Sequence, residues 1–197
     1  MYSKLPNLII AFHGCDLSTY ENVVLKNESL KFSKNDYDWL GNGIYFWESN
    51  RQRANEWAEE KVSRGQYYAP AVIGAVVDLG FCLNLTDSAY VPILKDGYEL
   101  LKMRLQNEGK KMPVNKIGKD RLIRELDCAV IEQIHDYNHN TEKREFDSVR
   151  GIFIEGDEVY AGSGFNSKTH VQICIRNPNC IKGYFSPLSE NIKYILP

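Results

Sequence analysis

The sequence predicts an α+β fold in which a helical segment interrupts a β-sheet. Strand-like apolar runs fill the first block of the chain, roughly residues 7–85. Apolar residues then recur at helical spacing through 86–141, and strand-like runs return from residue 146 onward. An order of strands, then helices, then strands is typical of an α+β domain. At 197 residues the chain is expected to form a single domain, 1–197, with a helical insertion at approximately 86–141.

The first block is expected to contain strands and one helix. The run "NLIIAFHG" is short and almost continuously apolar, which is typical of a buried strand. The run "GIYFW" predicts a second strand, and a helix follows from about residue 50 to residue 64. The segment "APAVIGAVVDLGFCLNL" predicts either one long strand or two strands that are broken near Gly80.

The second block is expected to be helical and the third to return to strands. The segments "SAYVPILKDGYELLKMRLQNEG" and "GKDRLIRELDCAVIEQIHDYNHN" carry apolar residues at helical spacing. One face of the latter segment combines Leu122, Leu126, Ala129, Val130, Gln133 and Ile134. Three further strands are predicted at "SVRGIFIEG", "HVQICIRN" and "IKGYF".

The composition excludes several classes of protein. With 43% hydrophobic and 25% charged residues the chain is globular, and a net charge of -2 gives no overall attraction to nucleic acid or anionic lipid. The five cysteines are widely spaced without a Cys-x-x-Cys pair, which argues against a zinc site and a disulfide framework. The apolar run near the N-terminus is too short for a signal peptide or a membrane span. We therefore expect a cytoplasmic protein with reduced thiols, no metal and no membrane partner.

The stretch "GNGIYFWESNRQRANEWA" raises the main question about function. Gly41 and Gly43 lead into a short aromatic strand, and the predicted helix follows after three polar residues. Two interpretations are open: the glycines form a hairpin corner with the aromatic residues in the core, or a flat ligand binds against Tyr45. A phosphate-binding loop does not fit, because the glycines precede a strand and Phe46 stands where the third Rossmann glycine is required.

Three fragments taken together resemble a known family. They are "FHGC", "GNGIYFWESNRQRANEWA" and "HVQICIRNPNCI". This set is similar to the ADP-ribosyltransferases, specifically the diphtheria-toxin and poly(ADP-ribose) polymerase branch. That branch places a His-Gly on its first core strand, a Gly-x-Gly-[Ile/Phe]-Tyr-Phe strand before an alanine-containing helix, and a glutamate on a late strand. The resemblance covers about a third of the chain and implies an ADP-ribosyltransferase-like split β-sheet core with an NAD cleft.

The resemblance implies that NAD is bound as a substrate, and it assigns residues to the cofactor site. The Gly14 backbone would hold the nicotinamide carboxamide, and the His13 imidazole would hydrogen-bond a ribose hydroxyl. Tyr45 would pack its ring on nicotinamide, which is flat, cationic and suited to an aromatic platform. Gly43 and Phe46 belong to the same motif strand and complete this part of the set.

The same resemblance implies a catalytic set of His13, Tyr45 and Gln172. Gln172 stands where the family carries its glutamate. Cleavage of the nicotinamide–ribose bond builds positive charge on the sugar, and a carboxylate stabilises that charge mainly in the transition state. An amide carries no charge, so Gln172 is expected to be the weaker catalyst. Arg53 lies on the following helix, where it would either meet a phosphate of NAD or remain a surface arginine.

The leading functional interpretation is a mono-ADP-ribosyltransferase that transfers ADP-ribose from NAD to a macromolecular acceptor, as a toxin-like effector. The alternatives are an NAD glycohydrolase, a catalytically silent module that binds NAD or ADP-ribose, and an α+β protein with no NAD site. The leading interpretation predicts a pair of central sheets forming a cleft, with His13, Tyr45 and Gln172 converging from separate strands. The loop 155–170 would face the acceptor, with Glu155, Asp157 and Glu158 on a solvated turn.

Overall fold

The structure is a computed structural model that describes residues 8–116, 123–189 and 193–194. It confirms the α+β class, because one mixed sheet of seven strands packs with four α-helices in the described part of the chain. The strands are β1 Ile9–Asp16, β2 Ile44–Glu48, β3 Pro70–Val77, β4 Cys82–Asn84, β5 Ser148–Phe153, β6 His170–Ile175 and β7 Ile181–Phe185.

The strands follow the order β4-β5-β6-β2-β1-β3-β7. All neighbours are antiparallel except β4 and β5, which are parallel. The expected pair of separate sheets is therefore replaced by one continuous sheet. Its two halves meet at β1 and β2, which pair only at Ala11↔Glu48 and Phe12↔Trp47, and beyond these residues the two strands diverge.

Four α-helices accompany the sheet: α1 Leu17–Tyr20, α2 Arg51–Ser63, α3 Val91–Asn107 and α4 Glu125–Asn140. A π-helical turn, Glu21–Leu25, continues α1, and short 3-10 turns lie at Ser88–Tyr90 and Pro178–Cys180. Helix α2 begins where the Asn50 side chain accepts a hydrogen bond from the Arg53 amide at 2.9 Å, which is a standard N-cap. Both α3 and α4 lie within the predicted insertion 86–141. No helix in the described residues combines the length and apolarity needed to span a membrane.

The strand predictions agree with the structure to within three residues at the described ends. The segment near Gly80 contains two strands rather than one, since Gly80 has φ +60° and turns the chain between β3 and β4. On α4, Val130, Gln133 and Ile134 are buried as the predicted face requires. Asn7 and Leu122 were part of these predictions and lie outside the described residues.

Successive side chains of β2 point to opposite faces of the sheet, so Phe46 and Tyr45 lie in different surroundings. Phe46 joins one hydrophobic cluster together with Ile173 of β6, on one face of the sheet. Tyr45 lies on the other face with its cross-strand partner Cys174, and both contact the cluster that α3 and α4 cover. Gln172 pairs with Trp47 in the same ladder, so its side chain shares the face of Tyr45.

Candidate functional site

A cavity of about 680 Å³ opens beside the point where β1 and β2 diverge. Five of the seven residues predicted for the site line it: His13, Gly43, Tyr45, Arg53 and Gln172. The structure thus brings together side chains from β1, β2, α2 and β6 that are far apart in sequence. Its volume lies within the range of about 300–1,000 Å³ that is typical of small-molecule and cofactor sites.

Tyr45 is held rigidly in the cavity wall by its hydroxyl group. The hydroxyl donates to the Gly41 carbonyl at 2.6 Å and accepts from the Leu40 amide at 2.8 Å. Burial raises the pKa of Tyr45 well above its ordinary value, so the phenol stays neutral. Since the hydroxyl is already satisfied at both ends, the aromatic ring is the part of Tyr45 that is available to a ligand.

His13 bridges the gap between the diverging strands. Its Nδ1 lies 2.7 Å from the Tyr45 carbonyl oxygen, and a carbonyl can only accept, so Nδ1 carries the proton. Burial lowers the pKa of His13, although this hydrogen bond acts in the opposite direction. The imidazole is therefore neutral near pH 7, and its Nε2 is an acceptor for a ligand hydroxyl.

Gly14 is buried and is not among the residues that line this cavity, but it lies next to His13 at the gap between β1 and β2. The Ser49 amide donates to the Ile10 carbonyl at 2.9 Å, which shows that the even-numbered residues of β1 direct their N–H and C=O groups toward β2. Gly14 lies beyond Phe12, the last residue of β1 that pairs with β2, so the N–H and C=O groups of Gly14 face the gap between these two strands. A Cβ at this position would overlap the Ala54 carbonyl oxygen, which explains why α2 requires glycine there.

Phe46 and Gly43 play packing roles. Phe46 is fully buried in the hydrophobic core, so its assignment to the cofactor site is wrong; side-chain alternation turns it away when Tyr45 faces the cavity. Gly43 borders the cavity. A Cβ added to Gly43 would overlap Cys174 Sγ and would lie 2.7 Å from the Ile175 carbonyl oxygen. Gly43 therefore allows β6 to approach closely, and this approach places Gln172 beside Trp47.

Arg53 is buried in the cavity wall with an exposed fraction of only 5%, so the surface interpretation is wrong. Its guanidinium lies 3.3 Å from Glu155, 3.8 Å from Glu60 and 3.9 Å from Glu56. These carboxylates offset its charge. The buried Nε and Nη1 atoms still lack hydrogen-bond acceptors among the described residues. Arg53 therefore has two unsatisfied N–H groups within the cavity wall.

Gln172 presents a half-buried amide to the cavity. No described residue hydrogen-bonds this side chain, so its N–H and C=O groups are available to a ligand. The amide is uncharged, and it lies directly across the ladder from Trp47, whose indole N–H is buried without an acceptor in the described part of the chain. Two neutral polar groups thus lie side by side in this wall.

Several cavity residues were not predicted from the sequence. Glu155 was placed on a solvated turn, but it lies in the cavity and pairs with Arg53; Asp157 and Glu158 are exposed as expected. Aromatic and charged side chains that sequence reasoning missed also line the cavity, namely Trp39, Trp47, Trp57, Glu60, Lys61 and Arg64. The helical spacing of α2 could have predicted some of these residues. Counted from Arg53, the face of α2 that enters the cavity continues through Trp57, Glu60 and Lys61 and ends at the C-cap residue Arg64.

Comparisons with known proteins give one similar sequence. The chain is 28% identical over 191 residues to the uncharacterized protein MJ0359 of Methanocaldococcus jannaschii, and the match covers 87% of this chain and 83% of that protein. No protein-family model matches the chain. No solved structure matches it either.

Proposed function

We propose that this protein is a mono-ADP-ribosyltransferase that uses NAD to modify a macromolecular acceptor, as a toxin-like effector. The observation that carries the proposal is the convergence of His13, Tyr45 and Gln172, from three separate strands, on one cavity. The divergence of β1 and β2 would correspond to the split in the core of the ADP-ribosyltransferases. The Tyr45 and Gln172 side chains share one face of the sheet, as a common ligand requires.

In the proposed complex, different residues would bind the nicotinamide, the ribose and a phosphate of NAD. The nicotinamide ring would stack on Tyr45, and its carboxamide would pair with the N–H and C=O of Gly14 in the gap beside β2. Nε2 of His13 would accept a hydrogen bond from a ribose hydroxyl. The free N–H groups of Arg53 would bind a phosphate oxygen of the dinucleotide.

The chemistry would begin with cleavage of the bond between ribose C1′ and the nicotinamide nitrogen. Both bonding electrons leave with nicotinamide, which becomes neutral, while positive charge develops on the sugar. An acceptor nucleophile then forms a bond to C1′ and releases its proton to water. Gln172 would orient the ribose by hydrogen-bonding a hydroxyl, but its amide cannot oppose the developing charge as a carboxylate would. We therefore propose a slow enzyme that adds a single ADP-ribose unit.

The acceptor would approach over the loop between β5 and β6. This loop precedes Gln172 and exposes four large apolar side chains, Ile154, Val159, Tyr160 and Phe165, at 60–71% of their full areas. Exposed clusters of this kind favour contact with another macromolecule. Glu158 and Tyr160 lie on this loop and would help to position the acceptor.

The test measures nicotinamide release and label transfer from radiolabelled NAD for the wild type and for variants at Gln172. Gln172→Ala should lower both activities by roughly tenfold or more, because a hydrogen bond that forms in the transition state is lost. Gln172→Glu should preserve NAD binding and raise turnover, since it supplies the missing charge. Gln66→Ala, at an exposed position outside the cavity, is the matched control and should behave as the wild type.

The products separate the proposal from its alternatives. Labelled acceptor supports transfer, whereas free ADP-ribose without labelled acceptor indicates an NAD glycohydrolase. Calorimetric binding of NAD without turnover indicates a silent binding module, for which the neutral Gln172 is a specific argument. If NAD neither binds nor reacts, or if Gln172→Ala leaves both rates unchanged, the assignment of this cavity is wrong.

A further inference from the structure

A second cavity, of about 710 Å³, lies on the same side of the sheet under the helices of the insertion. It is distinct from the cavity that contains His13, Tyr45 and Gln172. Its walls come from α3, α4, β5 and the residues that precede β2. Trp39 lines both cavities, and Gly151 of the second cavity pairs in register with Gln172 of the first.

The walls of this cavity are mainly aliphatic. They consist of Leu40, Leu85, Leu94, Leu126, Val130, Ile131 and Ile152, with the aromatic rings of Trp39 and Phe153 at one side. Ile152 lies at the rim with 55% of its surface exposed, while Val130, Ile131 and Phe153 are buried. An apolar space of this volume is suited to a flexible hydrocarbon tail, which can follow a wall built from branched side chains.

Among the described residues, the charged side chains at the mouth leave the Lys95 ammonium group without an ion-pair partner. Asp127 pairs with Arg124 at 3.3 Å, and Glu99 pairs with Lys102 at 3.8 Å, so both carboxylates are offset locally. Lys95 also lines the cavity, and no carboxylate of the described residues lies within ion-pair distance of it. The mouth therefore complements a negatively charged group at the end of an apolar body.

We propose that this cavity binds an aliphatic carboxylate, with its hydrocarbon tail against the aliphatic wall and its head group beside Lys95. The Arg124 guanidinium, whose charge is offset by Asp127, stacks at the aromatic side of the cavity, 4.3 Å from the Trp39 ring centre and 4.9 Å from that of Phe153. A ligand that contacts Trp39 touches the wall of the neighbouring cavity as well.

The experiment compares three ligands that each have an unbranched chain of ten carbons, counting the carboxylate carbon of decanoate, by calorimetry on the full chain, below the concentration at which they form micelles. Decanoate should bind at least about tenfold more tightly than decanol or decyltrimethylammonium. Lys95→Glu should abolish this preference for the anion. Lys26→Glu makes the same charge change at an exposed residue outside both cavities and should leave the preference intact.

A second pair of variants tests the position of the tail without altering the buried core. Ile152→Glu places a carboxylate on the rim and should weaken decanoate binding by about tenfold or more. Ile154→Glu is the matched control, because Ile154 is 62% exposed and does not line the cavity. The proposal is overturned if decanoate does not bind, if all three head groups bind equally, or if Ile152→Glu and Ile154→Glu have the same effect. Equal binding of the head groups would point to a neutral occupant, such as an apolar side chain of a protein partner.

Discussion

His135 illustrates at the scale of one residue how burial controls a charge. It lies on α4 with 2% of its surface exposed, and neither ring nitrogen has a hydrogen-bond partner among the described residues. The imidazole packs edge-on against Phe146 at a centroid distance of 6.0 Å. Burial, assisted by the positive charge of Arg176, lowers the pKa of His135 to about 3. The folded protein therefore holds this histidine neutral down to about pH 3.

This depressed pKa predicts a loss of stability in acid. As the pH falls below about 6.5, the unfolded chain takes up a proton at this residue while the folded chain does not. The free energy of unfolding should then fall between pH 6.5 and about 3 by up to about 1.4 kcal/mol per pH unit. Replacing His135 by leucine should remove this component, so the variant should gain roughly 1–2 kcal/mol on the wild type between pH 6.5 and 5.

Urea unfolding at several pH values measures this difference. His139→Leu is the control, since His139 lies on the same helix with its side chain 73% exposed and in contact with Glu145. The His139 variant should follow the pH dependence of the wild type closely. A constant difference in stability between wild type and His135→Leu across this pH range would contradict the assignment.

At the scale of secondary-structure elements, the contact between α2 and β1 organises the proposed NAD site. Helix α2 carries Arg53 and Trp57 into the cavity, and it packs on β1 where Gly14 leaves room for the Ala54 carbonyl. The approach of helix and strand thus depends on one missing methyl group. Because the helix is a rigid body, a small shift at Gly14 displaces both cavity residues.

Gly14→Ala should therefore be destabilising. The new Cβ would overlap a backbone oxygen that cannot rotate away, and overpacking of this kind typically costs about 1–3 kcal/mol. Gly183→Ala provides the matched control in β7, where an added Cβ meets no atom within 4 Å. Thermal unfolding should show a clear loss for the first variant and little change for the second. Equal melting temperatures would mean that α2 accommodates the methyl group without strain.

The elements were predictable from the sequence because their signals are local. Apolar runs marked the strands, and Asn50 before a polar amphipathic segment marked the start of α2. The Tyr45 and Phe46 pair showed that one ring must enter the core, but local alternation does not say which. The burial of Arg53 was not predictable, since its partner Glu155 lies 102 residues further along the chain. The single sheet also depends on long-range register, which β1 and β2 establish through only two residue pairs.

At the scale of the whole molecule, Glu132 connects the helical insertion to the sheet. Its carboxylate accepts hydrogen bonds from the backbone amide and the side chain of Asn42, both at 2.8 Å. It also forms an ion pair with Arg176, just beyond β6, and Arg176 in turn donates to the Asn42 carbonyl at 3.0 Å. One residue of α4 thus holds the loop before β2 and the end of β6. The neighbouring Gly41 carbonyl accepts the Tyr45 hydroxyl, so this connection extends to the cavity.

Glu132→Ala should lower the free energy of unfolding by about 2–4 kcal/mol, because it leaves the partly buried Arg176 guanidinium and the Asn42 amide without their acceptor. Glu132→Gln retains a hydrogen-bond acceptor and should lose less. Glu142→Gln, an exposed residue after α4, controls for the loss of one negative charge and should remain within about 0.5 kcal/mol of the wild type. A double-mutant cycle with Arg176→Met, measured by urea unfolding, should give a coupling energy of at least about 1 kcal/mol. A coupling energy near zero would show that Glu132 and Arg176 act independently, and that this ion pair does not hold the insertion to the sheet.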